Sequence, residues 1–184
     1  MGEPASQADM LSPSSSPGEL IMVEFTIDPR NSALLGIDLQ NRFVGKSSFA
    51  AECGQKLVKC LNHPASSVRS HGGLVIWTRT VVRPDHANAG MLARTVPPVQ
   101  AGPIDDGAIT AALHPSVKMS DADLIVTKPQ FGAFYGTDVE VILRSRSIET
   151  IIIGGIATDI CCDATAREAH AQHFQVLFLS DGHI

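Results

Sequence analysis

Residues 150–167, reading TIIIGGIATDICCDATAR, join a strand pattern to a helix pattern through a short turn. The first part is apolar and β-branched, as in a strand that is buried on both faces, and Gly154-Gly155 interrupts it. The spacing then becomes helical, and the first turns of the expected helix carry Cys161 and Cys162. A buried strand that turns directly into a helix is typical of α/β proteins with a parallel sheet.

The rest of the chain repeats this alternation of apolar strand runs and helical spacings. It therefore predicts a three-layer, doubly wound α/β domain with a mostly parallel, Rossmann-like sheet. Residues 80–120 hold much of the Pro and Gly and are expected to build a lid or pocket wall. Expected strands are 32–38, 74–78, 123–127, 150–154 and 175–179, with a short strand or extended lead-in at 21–28. Expected helices are 47–70, broken or kinked at Pro64, then 106–113, 138–146 and 159–172.

Length and composition set the domain organisation. The 184 residues suffice for one compact domain, which we place at 23–184. Residues 1–22 are rich in Ser and Pro without periodicity, which predicts a disordered tail.

Charge and hydropathy exclude several classes of partner. The net charge is −5 and no Lys/Arg cluster is present, which argues against nucleic acid as a main partner. No apolar run approaches the roughly 20 residues that span a bilayer, so no membrane association is expected. The four cysteines match neither a disulfide framework nor a common zinc pattern, which favours a reduced, cytoplasmic setting.

Three apolar runs each end in a chemically distinct group: Asp38, Lys128 and Cys161. Ligands of open α/β sheets bind outside the carboxyl ends of the strands, so these groups should meet there. A thiol could attack a carbonyl while a carboxylate takes its proton and an ammonium offsets the developing negative charge. The helix N-terminus should also favour the thiolate.

Each of these residues also has a structural interpretation. An Asp after a strand is often a loop cap, a Lys before proline can be a surface charge, and a buried Cys is usually inert. Cys162, Ala166 and Ala169 form an apolar stripe at helical spacing that should pack on the sheet. Cys161 lies about 100° around the helix from Cys162, so we assign Cys161 as the nucleophile and Cys162 to packing.

The motifs IDLQNRF, KPQFGAFYGTDVE and GGIATDICCDATAREA, in this order, resemble the isochorismatase-like cysteine hydrolases. The resemblance spans about residues 32–182 and implies the amidohydrolase branch of the family. It places the catalytic triad on Asp38, Lys128 and Cys161 and implies a thioacyl-enzyme intermediate. It places the oxyanion hole on the backbone N–H groups of Ala157 and Cys161, and a non-proline cis peptide between Ile156 and Ala157.

The sequence also departs from branches of that family. Nicotinamidases of the family hold a metal with an Asp-x-His-x-x-x-His pattern, which Asp85-His86 does not reproduce. We therefore expect no metal and no other cofactor, and we disfavour nicotinamidase activity. Isochorismate-cleaving members lack the nucleophilic cysteine, so that reaction is disfavoured too. Family members usually continue past Gly182 with a helix and an edge strand, so this domain is expected to be C-terminally short.

Aromatic residues beside the expected triad suggest a pocket. Phe43, Phe131 and Phe134 flank Asp38 and Lys128, and we assign them with Thr158 to substrate contact. Aromatic residues are, however, more often simply part of the core.

The expected activity is cofactor-independent cleavage of a C–N bond in a small amide, ureide or N-carbamoyl substrate. Two alternatives stay open: hydrolysis of another bond on the same fold, or a non-catalytic small-molecule-binding protein that uses the same cleft. The expected partners are the small-molecule substrate and further copies of the chain in a homo-oligomer, a dimer or a tetramer.

Overall fold

The computed structural model describes residues 26–45 and 53–184. The expected tail, most of the 21–28 lead-in and the start of the 47–70 helix lie outside these residues. The described strands are β1 (Ser32–Ile37), β2 (Leu74–Thr80), β3 (Leu124–Lys128), β4 (Thr150–Gly155) and β5 (Gln175–His183). The α-helices are α1 (Asn41–Val44), α2 (Gly54–Ser70), α3 (Leu92–Thr95), α4 (Val139–Ser145) and α5 (Asp163–Ala171).

The five strands form one parallel sheet in the order β3-β2-β1-β4-β5. β1 lies at the centre, so the chain builds one half of the sheet and then crosses over to build the other. This confirms the doubly wound fold. The strand order reverses beside β1, which is where ligands of such sheets bind.

Helices cover both faces of the sheet. Leu35 and its neighbours on one face pack against α4 and α5 through residues such as Leu143 and Ala169. Leu34, on the opposite face of the same strand, packs with Trp77 against α2. Alternating residues of one strand thus belong to different cores, which explains the nearly unbroken apolar sequence of β1.

α2 runs from Gly54 to Ser70 without interruption, although Pro64 lies inside it. The proline lacks an N–H and costs a helix interior about 3 kcal/mol. Leu61 and Ala65, on either side of it, are completely buried. Packing of this face outweighs the local cost, so the expected break is absent.

Two further differences from the sequence predictions are local. Within 106–113 the structure has only a 3₁₀ turn, Ile109–Ala111, since too few residues there pack to support a longer helix. β5 continues through Asp181 and Gly182 to His183, pairing with Gly155 after a register shift. No helix in the described part of the chain has the length and apolarity needed to cross a membrane.

Candidate active site

The carboxylate of Asp38 lies at the carboxyl end of β1, in the middle of the sheet. Its backbone is left-handed, with φ +52°, a conformation that Asp tolerates better than most residues. The side chain is almost fully buried, and each carboxylate oxygen accepts a hydrogen bond. Thr78 Oγ1 donates to Oδ1 at 2.8 Å and Thr80 Oγ1 donates to Oδ2 at 2.7 Å.

The two threonines were not among the residues that sequence reasoning selected. Thr78 and Thr80 are two positions apart near the end of β2, so both point to the same face of the sheet. Two hydroxyls on one face at the carboxyl end of a buried strand are the signal that could have identified them.

Lys128 ends β3, and its register partner on β2 is Thr80. Its ammonium lies 2.8 Å from Oδ2 of Asp38, and it donates to Thr80 Oγ1 at 2.7 Å. It also donates to the carbonyls of Gln130 and Phe131, at 3.0 and 2.8 Å. The buried cation therefore has a carboxylate, a hydroxyl and two carbonyls as partners.

The charge state of Lys128 is decided by two opposing effects. Burial alone would lower the pKa of its ammonium, but attraction to the Asp38 carboxylate outweighs this effect and the pKa is raised. Lys128 therefore stays protonated, as a charge-balancing cation must.

Gln40 fixes the loop that follows Asp38. Its side chain is completely buried, accepts from Thr80 N at 2.8 Å and donates to Thr80 O at 3.0 Å. It also donates to Ala111 O at 2.8 Å. The amide thus ties β2 to residues beyond the pocket and holds Thr80 beside the ion pair.

Cys161 is presented by a π-helical turn, Thr158–Cys162, that precedes α5. Its side chain is 9% exposed and lines a cavity, although it packs in the same hydrophobic cluster as the fully buried Cys162. Cys162 does not line that cavity, and the assignment of Cys161 as the nucleophile stays a prediction. The peptide bond between Ile156 and Ala157 is cis, as the resemblance implied.

The contribution expected from the helix N-terminus does not decide the protonation state of Cys161. Burial and the negative charge of Asp38 raise the pKa of the thiol to about 12, although Lys128 acts in the opposite direction. These two effects outweigh any helix-terminus contribution, so sulfur is protonated at neutral pH. The Asp38 carboxylate and the Lys128 ammonium both act electrostatically on this thiol.

Thr165 connects the cysteine turn to the lysine loop. This buried side chain donates to the carbonyl of Cys161 at 2.7 Å and accepts from the N–H of Ala133 at 3.2 Å. One hydroxyl thereby links segments that are nearly 30 residues apart in sequence.

A cavity of about 250 Å³ opens onto the thiol. Thr80, Ala157 and Cys161 line it at the triad. The remaining lining comes from the segments after β1 and β3, from the cysteine turn and from the long segment after β2. The last of these confirms the pocket wall expected at residues 80–120. The remaining lining residues are Arg42, Phe43, Leu92, Val96, Pro98, Val99, Pro103, Ile104, Phe131, Ile156 and Ile160.

The four residues assigned to substrate contact divide into two pairs. Phe43 and Phe131 line the cavity. Phe134 instead packs in the core with its ring 5.9 Å from that of Phe174, because α5 and β5 enclose that side of the loop. Thr158 is directed to the end of β5, where its Oγ1 lies 2.8 Å from His183 Nδ1. Neither of this second pair lines the cavity.

Metal-binding side chains do not cluster within residues 26–45 and 53–184: no group of three His, Cys, Asp or Glu residues could share an ion. His86, from the region compared with the metal pattern above, instead pairs with Asp105, with Nε2 3.0 Å from Oδ1.

Comparisons with known proteins show which family the chain belongs to. The isochorismatase domain model matches residues 32–184. The uncharacterized isochorismatase family protein YwoC of Bacillus subtilis is 36% identical over 163 residues, covering 88% of this chain and 82% of the relative. The ureidoacrylate amidohydrolase RutB of Klebsiella variicola is 24% identical, covering 85% of this chain and 74% of the relative.

A solved structure shows the same architecture. The cysteine hydrolase from Pseudomonas syringae pv. phaseolicola superposes with a TM-score of 0.83 at 25% identity, covering 88% of this chain and 76% of that chain. With the domain match and the YwoC likeness, this shows that the chain belongs to the isochorismatase family of hydrolases.

Proposed function

We propose that this hydrolase cleaves a C–N bond in a small amide, ureide or N-carbamoyl compound through a thioacyl intermediate. The observation that carries the proposal is the buried Asp38–Lys128 pair, with Nζ 2.8 Å from Oδ2, beside the Cys161 thiol. Burial of a carboxylate and an ammonium is costly, and their placement around a nucleophile supports a catalytic role.

In the first step the sulfur of Cys161 attacks the substrate carbonyl carbon while its proton passes to Asp38. Because the thiol pKa is raised to about 12, proton removal accompanies attack rather than preceding it. The carbonyl oxygen becomes negative and accepts hydrogen bonds from the backbone N–H groups of Ala157 and Cys161. Lys128 offsets the added charge.

In the second step the tetrahedral adduct collapses and the C–N bond breaks. The leaving nitrogen takes the proton from Asp38 and departs as ammonia or an amine, which leaves a thioester on Cys161. Water then attacks the thioester carbon and gives its proton to Asp38. Expulsion of sulfur releases the acid, and the thiol regains a proton.

The likeness to a curated ureidoacrylate amidohydrolase supports amide chemistry for this chain. The geometry adds a separate reason, since the proposed oxyanion donors Ala157 and Cys161 line the same cavity as the thiol.

The test is ammonia release from a panel of amides, ureides and N-carbamoyl compounds by the wild-type protein and by Cys161→Ala. Loss of turnover in this variant, with an unchanged circular dichroism spectrum, supports the proposal. Cys162→Ala is the matched control, because that neighbouring thiol lies in the core. Full turnover by Cys161→Ala would contradict the nucleophile assignment.

A further inference from the structure

We propose that the substrate is a small uncharged amide whose body is a hydrocarbon group. This inference rests on the proposed function and deepens it by naming the substrate class. It follows from the apolar chemistry of the cavity wall, from the cavity's size and from the fact that its polar side chains already have partners or a proposed role.

The wall facing the thiol is a hydrophobic cluster with few polar atoms. Leu92, Val99 and Ile104 are buried together in a cluster separate from the two cores that flank the sheet. Val96 packs against the same cluster and lines the cavity with it. A substrate held at Cys161 therefore extends toward aliphatic side chains.

The polar side chains that line the cavity in the described part of the chain are Arg42, Thr80 and Cys161. The Thr80 hydroxyl is committed to Asp38 and Lys128, and Cys161 is the proposed nucleophile. Arg42 is half-buried and already has an interaction within the chain. Polar recognition is thus concentrated at the reacting carbonyl, not along the substrate body.

The cavity is also small. Its volume of about 250 Å³ is below the roughly 300–1,000 Å³ of sites that hold drug-sized ligands. An amide group with a short alkyl chain or a single benzene ring fills this space.

A hydrocarbon body is favoured because it leaves water for an apolar wall. Each added methylene should raise kcat/KM roughly fourfold until the cavity is full. A carboxylate at the far end of the same chain loses its hydration without a dedicated partner, which should lower kcat/KM on the order of 100-fold or more.

The rival substrate is a carboxylate-bearing ureide, as the name of the ureidoacrylate amidohydrolase suggests for that relative. It would need Arg42 to exchange its present interaction for the carboxylate. A matched pair of amides that differ only in a terminal carboxylate therefore separates the two.

The experiment measures ammonia release from acetamide, butanamide, hexanamide and phenylacetamide, with adipamic acid as the carboxylate counterpart of hexanamide. We expect kcat/KM to rise from acetamide to hexanamide and to be far lower for adipamic acid. Equal or faster turnover of adipamic acid would overturn the inference and leave the proposed function standing.

Val96→Asp tests the wall directly. Val96 is half-exposed, so the protein should still fold, and an aspartate there places a charge against the substrate body. Hexanamide turnover should fall roughly tenfold more than acetamide turnover, because the longer amide has more hydrocarbon to place against the wall. Val141→Asp on α4 is the control, because Val141 is 70% exposed and lies outside the cavity lining. Equal loss for both amides in Val96→Asp would contradict the inference.

Calorimetric binding to Cys161→Ala keeps the two proposals distinguishable. Hexanamide should bind more tightly than adipamic acid whether or not the wild-type protein hydrolyses either. Tight hexanamide binding without ammonia release from any amide contradicts the proposed function but supports the apolar ligand class. Equal binding of the two compounds overturns the inference.

Discussion

The Lys128 ammonium lies 2.8 Å from Oδ2 of Asp38, with side-chain exposures of 0% and 1%. An ion pair this deeply buried is stable only if the remaining polar atoms are also satisfied. Thr78 and Thr80 supply hydrogen bonds to the carboxylate, and the lysine loop supplies carbonyls to the ammonium.

Removing both partners of this pair should cost less stability than the two single removals added together. Asparagine also tolerates the left-handed backbone at position 38, but Asp38→Asn leaves Lys128 buried without a counter-charge. This should lower the free energy of unfolding by about 3–5 kcal/mol. Lys128→Met should cost a similar amount. The double variant should be clearly more stable than the sum of the two costs predicts. Urea unfolding of the wild type, the two single variants and the double variant measures the coupling between the residues. Costs that simply add would contradict this prediction.

Alkylation of Cys161 should respond to the charged pair in opposite directions. The Asp38 charge raises the pKa of the thiol and the Lys128 charge lowers it. Asp38→Asn should therefore lower that pKa and speed reaction with iodoacetamide, while Lys128→Met should slow it.

Mass spectrometry in a Cys162→Ala background follows modification of Cys161 over time, with exposed Cys53 as the internal reference. In wild type the rate should rise with pH through the neutral and alkaline range, because the thiol pKa is raised to about 12. Both charge variants should nevertheless lose amide turnover. Faster alkylation in Lys128→Met would contradict this electrostatic assignment.

Replacing the Thr80 hydroxyl should impair turnover without removing any charge. Thr80→Val takes a partner from both Asp38 and Lys128 and should lower kcat by roughly 10–100-fold, with a stability loss of about 1–3 kcal/mol. Thr80→Ser restores the hydroxyl and should recover most of the activity. Thr127→Val, on the exposed side of β3, removes only an exposed hydrogen bond from Arg79 and should change neither quantity appreciably. A Ser variant as poor as the Val variant would point to packing instead.

Gly155 should not tolerate a side chain. Its φ is +144°, and a Cβ there would lie 2.2 Å from the carbonyl oxygen of Ile37. Gly155→Ala should destabilise the protein by about 4 kcal/mol, since neither backbone can move away without breaking strand pairing.

Gly107→Ala separates the steric effect from the conformational one. Gly107 also has positive φ, +86°, but a Cβ there meets nothing within 4 Å. That change should cost about 1 kcal/mol. Similar losses of stability in the two variants would show that the close approach of β4 to β1 does not determine the cost of a side chain at Gly155.

The apolar runs predicted every strand of the sheet because burial on both faces leaves a strong signal. The alternation of strands and helices likewise predicted that Asp38, Lys128 and Cys161 would be carried to one edge. The parallel direction of the strands brings all their carboxyl ends to one edge whatever the side-chain details, so the local pattern was sufficient.

The details that sequence missed depend on contacts between distant segments. Phe134 flanks Lys128 in sequence as Phe131 does, but only the packing of α5 and β5 shows that its ring enters the core. The raised pKa of the thiol was missed for a similar reason: a helix terminus is visible in sequence, whereas burial beside Asp38 is not. The role of Thr80 depends on its register with Lys128.

Because β1 lies at the centre of the sheet, the charged pair and the sulfur come from different halves of the sheet. Asp38 and Lys128 both belong to the β3-β2-β1 half of the sheet, whereas Cys161 follows β4 on the other half. Translation thus completes both charged groups before the cysteine leaves the ribosome. Because the carboxylate and the ammonium neutralise each other directly, we expect a chain without the Cys161 sulfur to fold around the same ion pair.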